Sequence, residues 1–148
     1  MPVPGTAWKT AKLLEVLDGP GSGKGAIRRF FRLKVKLSLL PGRPRGCLVT
    51  NSTAALTSRD RGTATRVSVV LTKIEAAFHR AVVRAQKAGE IDPTRDPRVL
   101  ARFLTSSAQG LSVMAKASPD RGVLRDVVTV ILATLERTSP LRVKGRRV

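Results

Sequence analysis

The stretch VSVVLTKIEAAFHRAVVRA, residues 67–85, decides the fold class because its apolar residues recur at helical spacing. Successive apolar positions are three or four residues apart, which places them on one face of a helix. Basic residues such as Lys73 and Arg80 fall largely on the other side. Gly89 is placed to end this helix, since a residue in the left-handed conformation commonly lies there. The apolar face consists of Val67, Val70, Leu71, Ile74, Phe78, Ala81, Val82 and Ala85.

Outward from this segment, helical patterns continue in both directions along the chain. Helices are predicted over residues 8–17, 25–40 and 46–57, and a turn rich in glycine and proline separates the first two. Two more helices have clear starts, because Asp96-Pro97 and Ser118-Pro119 each offer a side-chain oxygen for the N-cap and a proline after it. The sequence therefore predicts an all-α fold, a helical bundle of about six helices without strands.

The terminal helix is apolar over more than one face. Three residues, Val123, Val130 and Ala133, widen its apolar surface beyond the main face. A helix that is apolar over most of its circumference needs two partners to cover it. One is the core of the chain itself, and we expect the other to be a second copy of the chain. The main face consists of Leu124, Val127, Val128, Ile131, Leu132 and Leu135.

Composition sets the size and the surface charge of the molecule. With 148 residues, 42% of them apolar, the chain is long enough for one domain with its own core. Aromatic residues make up only 3%, so that core must be mainly aliphatic. The net charge of +18 allows two interpretations. The surface is either a solvated one that is rich in arginine, or one that attracts polyanions.

Several classes of site and location are disfavoured by the residue inventory. The single cysteine excludes an intrachain disulfide and a zinc site built from several cysteines. No apolar run approaches the roughly 20 residues that cross a bilayer, and the amino terminus lacks the apolar core of a secretory signal. We therefore expect a cytoplasmic protein that holds no cofactor and does not enter a membrane.

Two motifs invite an enzymatic interpretation that their details disfavour. The segment 19–25, GPGSGKG, lacks the first glycine and the final Ser or Thr of a phosphate-binding P-loop, which favours a loop between helices. Cys47 and His79 are the only residues of their types and offer one nucleophile–base pair. However, Cys47 lies in an apolar helix start, where an inert buried thiol is common, and His79 lies at the border of an apolar face. We do not expect an enzyme.

Four segments together resemble the carboxy-terminal domain of TetR-family transcriptional regulators. They are residues 43–51, RPRGCLVTN; residues 78–84, FHRAVVR; residues 84–91, RAQKAGEI; and the run from Asp96-Pro97 to Leu111. The resemblance covers residues 12–137, and it depends on the order and spacing of the segments. It implies an all-α body that binds a small effector and dimerises, with the last two helices of each copy forming a four-helix bundle.

The resemblance also implies candidate sites. The effector is expected to shift two DNA-reading heads apart, which lowers operator affinity by linkage between the sites. We expect an unknown small-molecule effector and a homodimer, and we assign no DNA-contacting residue. The effector cavity would be lined by Phe31, Asn51, Phe78, Phe103, Gly110 and Met114. The dimer interface would contain Val113, Leu124, Val128, Ile131 and Leu135.

The domain boundaries follow from the same resemblance. Residues 1–20 are expected to be a remnant of the connecting helix and turn, residues 21–138 the regulatory domain, and residues 139–148 a flexible basic tail. The family places a helix-turn-helix head of three helices before this body, and residues 1–45 contain no candidate for one. The expectation is a regulatory body without its DNA-reading head.

An alternative interpretation makes the chain a basic helical module that binds nucleic acid directly. In that case arginines would contact phosphates without reading bases, and affinity would fall steeply with salt. The residues concerned would be Arg28, Arg29, Arg32, Arg80 and Arg84, together with the basic tail. DNA would then be bound only non-specifically, by charge, unless a helix-turn-helix head were supplied.

Overall fold

A computed structural model describes residues 7–41 and 61–137 of the chain. Within these ranges all regular secondary structure is helical and no strand occurs, so the predicted all-α class is confirmed. The predicted helix at 46–57 lies outside the described residues. The helices are α1 (Ala7–Asp18), α2 (Gly23–Ser38), α3 (Arg61–Lys87), α4 (Pro97–Ala117) and α5 (Arg121–Ala133).

The core forms where α2 packs on α3. Phe30, Phe31 and Phe78 are almost completely buried and contact one another, with ring centroids 4.7 to 5.8 Å apart. Two of these contacts are edge-on, an arrangement that aromatic rings favour. Leu13 and Leu17 of α1 join the same core, whose remaining residues are aliphatic as the composition predicts.

The crossing of α2 over α3 depends on a glycine. Ser22 caps α2 by accepting a hydrogen bond from the backbone N–H of Gly25 at 2.9 Å. The next residue, Gly23, is pressed against α3 so closely that a Cβ atom there would overlap with the carbonyl oxygen of Ala81. The segment 19–25 is therefore a helix connection whose glycine permits close backbone contact.

The end of α3 follows the prediction. Gly89 adopts φ +74°, and the N–H of Glu90 donates to the carbonyl oxygen of Ala85 at 2.8 Å. The side chain of Gln86 then donates to the carbonyl oxygens of Asp92 and Arg95 and fixes the loop that leads into α4.

One of the two predicted caps is confirmed, and the other has to be corrected. Asp96 caps α4 by accepting from the N–H groups of Arg98 and Val99, with proline next in the chain. Ser118, however, ends α4, because its N–H donates to the carbonyl oxygen of Met114. The N-cap of α5 is Asp120, two residues further on, since its carboxylate can accept from two backbone N–H groups.

Helix α5 covers the core with one side and exposes apolar residues on another. Leu124 and Ile131 point into the core, whereas Val123 and Val130 are exposed. The over-wide apolar surface expected from the sequence is therefore present on the helix. No helix in the described residues combines the length and the apolar character needed to cross a membrane.

Candidate functional site

An apolar groove of about 520 Å³ runs along the outer side of α4 and α5. Its surface is formed almost wholly by apolar atoms, and Val130, which lines it, is 66% exposed. Contiguous exposed apolar surface of this kind marks interfaces on soluble proteins. The groove is lined by Phe103, Ser107, Gly110, Leu111, Met114, Asp126, Val127, Val130 and Ile131.

At Gly110 the wall of the groove has no side chain and faces open space. A Cβ atom built at this position would meet no heavy atom within 4 Å. A glycine inside a helix lowers stability by about 1 kcal/mol relative to alanine. Within the described residues, no close packing against this Cβ position explains the glycine.

The structure separates the residues that the sequence analysis assigned to one effector cavity. Phe31 and Phe78 lie in the aromatic core, whereas Phe103, Gly110 and Met114 line the apolar groove on the far side of α4. Phe31 belongs to α2 and Phe78 to α3, and both helices pack on the buried side of α4, whereas the other three residues lie on a different side of α4. Asn51, the sixth predicted residue, lies outside the described residues.

The residues assigned to a dimer interface are also divided. Val113 is exposed on α4, next in the chain to the groove residue Met114, but the other four are buried within the chain itself. A buried side chain already contacts its own core, so the surface available to a second copy is the neighbouring side of α5. The four core residues are Leu124, Val128, Ile131 and Leu135.

Two buried lysines were missed by the sequence analysis. Lys34 is only 4% exposed, and Lys9 is equally buried and donates to the carbonyl oxygen of Leu37 at 3.2 Å. Burying a charged group is costly unless polar partners compensate it, so such residues often mark functional sites. The signal was present: Lys34 follows Phe30 by four residues and Phe31 by three, and therefore falls on their buried face.

Lys34 lines a small core cavity of about 10 Å³. The cavity has the size of about one water molecule, and it is bounded by α1, α2, α3 and α4. Polar side chains from three of these helices meet here among apolar ones. The residues that line this core cavity are Thr10, Leu13, Leu14, Phe30, Lys34, Ile74 and Gln109.

The amino-terminal end of α2 is occupied by a carboxylate from the chain itself. Oε2 of Glu90 accepts from the hydroxyl of Ser22 at 2.6 Å and from the backbone N–H of Lys24 at 3.1 Å. These are the donors that a phosphate at this helix end would need. Beside them, Lys24 forms an ion pair with Glu136 at 2.7 Å, which lowers the pKa of that carboxyl group.

Of the two residues weighed for catalysis, the structure describes only His79. His79 lines an open hollow with Glu75, Arg80 and Arg98, while Cys47 lies outside the described residues. Among the residues that the structure describes, no three His, Cys, Asp or Glu side chains form a group suited to a metal ion.

Two arginines of the nucleic-acid interpretation have structural partners. Arg80 makes two hydrogen bonds to the carboxylate of Asp18, at 2.9 and 3.0 Å, which raises the pKa of its guanidinium group. Arg84 donates to the carbonyl oxygens of Leu17 and Gly19 at the end of α1. Both side chains thus fasten α3 to α1, where the helix carbonyls carry partial negative charge.

Comparison with known proteins agrees with the all-α fold described above. Residues 23–131 match the family model described as Tetracyclin repressor-like, C-terminal domain. The chain is 33% identical over 129 residues to YezE, an uncharacterised HTH-type transcriptional regulator of Bacillus subtilis (strain 168). The match covers 86% of this chain but 66% of YezE, so the chain spans just under two thirds of the length of that relative.

Solved structures show the same likeness. The chain is 29% identical to a cysteine mutant of the TetR family transcriptional regulator CifR, complexed with 26bp double-strand operator DNA. That match has a TM-score of 0.74 and covers 86% of this chain and 66% of CifR. The reduced form of NemR from E. coli has a TM-score of 0.76 at 17% identity, covering 92% of this chain and 70% of NemR, and at that identity it shows the fold alone.

Proposed function

Because the chain belongs to the TetR family of transcriptional regulators, we propose that its described part is a regulatory domain that dimerises through the apolar groove and responds to a small effector. Regulators of this family act as dimers that bind operator DNA and small-molecule effectors. The single observation that carries the dimer proposal is the exposed apolar groove between α4 and α5.

The groove suits a second copy of the chain for two reasons. Its exposed valines lose contact with water when an apolar surface covers them, which stabilises the complex by about 25 cal/mol per Å². Gly110 leaves room for close approach of another helix along the same surface. In a two-fold dimer each copy presents the same surface, so α4 and α5 of both copies would form the four-helix bundle that the sequence analysis expects.

The molar mass of the chain in solution tests this interface. We expect wild-type protein to sediment at twice the chain mass of 15.9 kDa. Replacing Val130 by aspartate places an unpaired charge in the groove, and replacing Val113 adds one at the exposed α4 position predicted for the interface. This double variant should sediment as a monomer with an unchanged helical circular dichroism spectrum.

A matched control separates the interface from a general effect of charge. Val69 is an exposed valine of α3, 48% exposed and remote from the groove residues in the sequence. The variant Val69→Asp should remain dimeric. A wild-type chain that is monomeric at high concentration, or a double aspartate variant that remains dimeric, contradicts the proposed interface.

For the effector, we propose the core cavity beside Lys34. Support comes from the meeting of a buried ammonium group with the side chains of Thr10 and Gln109 in an apolar core. Apolar walls with a few polar groups are typical of small-molecule sites, but those sites measure roughly 300–1,000 Å³, so this cavity has to open to hold a ligand. A ligand larger than one water has to displace core side chains, so it would bind better to a conformation in which they have moved. This difference in affinity would shift the domain towards that conformation.

A fluorescent organic anion, 8-anilinonaphthalene-1-sulfonate, serves as the probe for this site. The variant Lys34→Met keeps the length of the side chain but removes its charge, and we expect it to weaken binding about tenfold, as the loss of one charge-assisted contact would. Lys12→Met, on the exposed side of α1, is the control and should bind as wild type does. Equal affinity of the Lys34→Met variant and wild type would remove the support for an effector site here.

We further propose that the whole regulator controls transcription by binding operator DNA in the cytoplasm. CifR is a relative whose structure holds operator DNA, and the helix-turn-helix class of YezE agrees with this role. The described residues would sense the effector and hold the dimer together. Regulators of this family are generally not enzymes, and we propose no catalytic activity.

A further inference from the structure

A second large pocket, which the proposed function does not use, lies between α2 and α5. Its volume is about 540 Å³, within the range of roughly 300–1,000 Å³ found for small-molecule sites. Two basic side chains of α2, Arg32 and Lys36, face two of α5, Arg121 and Arg125. We call this the basic pocket. It lies on the opposite side of α5 from the apolar groove.

The positive charge of the basic pocket is not neutralised within the described part of the chain. No acidic side chain lines the pocket, and its four cations take part in none of the ion pairs there. The ion pairs that are present use Lys24, Arg80 and Arg102 instead. A concave site with one sign of charge raises the local concentration of anions.

The placement of these cations opposes helix stability. Arg32 and Lys36 are four residues apart on α2, and Arg121 and Arg125 are four residues apart on α5, so each helix carries neighbouring like charges. Arg121 is also the first residue of α5, where the helix dipole disfavours a positive charge. An anion in the pocket would relieve all three unfavourable interactions at once.

The floor of the pocket is apolar. Val35 and Val128 are mostly buried beneath the cations, and Leu132 is half-buried beside them. A ligand that fits both parts needs an anionic group for the rim and an apolar body for the floor. Arginine matches phosphate in particular, because its guanidinium group can donate two parallel hydrogen bonds to phosphate oxygens.

We propose that the basic pocket binds a phosphate monoester with an apolar substituent. Its phosphate lies among Arg32, Arg121 and Arg125, and its apolar part covers Val35 and Leu132. The phosphate backbone of DNA is a weaker candidate, because a rigid duplex contacts the rim cations without filling a pocket floor. The site is independent of the dimer, since the apolar groove lies on the other flank of α5.

Calorimetric titration of the full chain with octyl phosphate, below its micellar concentration and in about 150 mM salt to screen loose surface attraction, tests the proposal. We expect one site per chain. Octyl phosphate should bind at least about tenfold more tightly than inorganic phosphate, because the octyl chain covers the apolar floor. Uncharged octan-1-ol should show no binding at the same concentrations.

Variants locate the site. Arg32→Gln combined with Arg125→Gln should weaken octyl phosphate binding about tenfold or more, as the loss of charge-assisted hydrogen bonds requires. Thr129→Glu, an exposed position that lines the same pocket, should weaken it as well by adding a negative charge. Arg66→Gln with Lys73→Gln removes the same charge from exposed positions of α3 and should leave the affinity unchanged.

Three outcomes would overturn the proposal. The first is equal affinity for octyl phosphate and inorganic phosphate, which would show attraction by charge alone. The second is an equal loss of affinity in the α3 control, which would place the binding on the general surface. The third is a chain that binds a DNA duplex through Arg32 and Arg125 but does not bind octyl phosphate, which would assign these residues to nucleic acid.

Discussion

The two exposed flanks of α5 differ in chemistry although the same 13 residues form them. One flank carries Val127 and Val130 and faces the apolar groove beside α4, whereas the other carries Arg121 and Arg125 and faces α2 across the basic pocket. Between them, a third side of the helix is buried in the core. Each flank therefore suits a different partner, an apolar surface on one side and an organic anion on the other.

This difference shows that an apolar residue and an interface residue are not the same thing. Leu124 and Val123 are neighbours in the chain, yet Leu124 is 1% exposed and Val123 is 45% exposed. Because successive helical residues are about 100° apart, one faces the core and the other faces outward. A helix surface can be assigned to a partner only after the residues that are buried in the core of the chain itself have been identified.

The largest predicted effect separates these two neighbours. Leu124→Ala should lower the free energy of unfolding by about 2–5 kcal/mol, because it leaves a cavity in the core. Val123→Ala should change it by less than about 0.5 kcal/mol in the monomeric background of Val113→Asp with Val130→Asp. Urea denaturation of that background with each added substitution measures both values. Equal effects would mean that the inward and outward sides of α5 are assigned incorrectly.

The next effect compares two glycines. Gly23→Ala forces a Cβ atom against the backbone of Ala81, so we expect a loss of about 1–3 kcal/mol, typical of overpacking. Gly110→Ala meets open space, and its better helix propensity should raise the stability of the monomer by up to about 1 kcal/mol. Thermal unfolding of both variants in the monomeric background distinguishes the close crossing from the open groove wall. Destabilisation by both would contradict the contrast.

A smaller effect concerns the basic flank. Arg121→Glu places an acidic residue at the positive end of the α5 dipole. It also puts this carboxylate one helical turn before Arg125, on the same face, where the two opposite charges attract. We expect a gain of roughly 0.5–1 kcal/mol in the absence of ligand, which decreases as salt screens the charges. Thermal unfolding at low and high salt measures it. A loss of stability would show that Arg121 has a favourable partner in the protomer.

The smallest effect comes from the ion pair of Lys24 and Glu136. The hydrogen bond from Lys24 and its charge hold the pKa of Glu136 below its ordinary value. A carboxyl group with a lowered pKa stabilises the fold above its unfolded-state pKa, and this stabilisation is lost as the pH falls through the folded-state value. Lys24→Met should bring the pKa back towards the ordinary range. Carbon-detected NMR titration checks this, and an unchanged pKa in the variant would exclude the ion pair as its cause.

Local sequence signals predicted much of the fold. The helical class, the glycine at the end of α3 and the cap of α4 depend on spacing and on neighbouring residues, and the structure confirms all three. The cap of α5 was placed at Ser118 because serine and proline are a common start, but Asp120 is an equally good N-cap residue and Ser118 instead ends α4. Sequence alone could not decide between two caps two residues apart.

The sites were harder to predict because they depend on how helices pack. Phe31, Phe78 and Phe103 are all apolar residues on helices, and only the packing shows that two belong to the core and one to the groove. The basic pocket combines residues of α2 and α5, about 90 positions apart in the chain, so no local pattern connects them. Lys34 could have been found, since its spacing from Phe30 and Phe31 places it on their buried face.

The most direct test of the central claim is whether a second copy covers the apolar groove. Cys47→Ser removes the single native thiol, and Val130→Cys or Val69→Cys then adds one thiol at an exposed position inside or outside the groove. In the isolated chain Val130 is the more exposed of the two, 66% against 48%.

The measurement is the rate of maleimide labelling of each thiol as the protein concentration increases. The dimer predicts that the thiol at 130 reacts at least about tenfold more slowly at high concentration, because the groove is then covered, while the thiol at 69 reacts at a constant rate. Equal and concentration-independent rates at both positions would contradict the assignment of the apolar groove to a second copy of the chain.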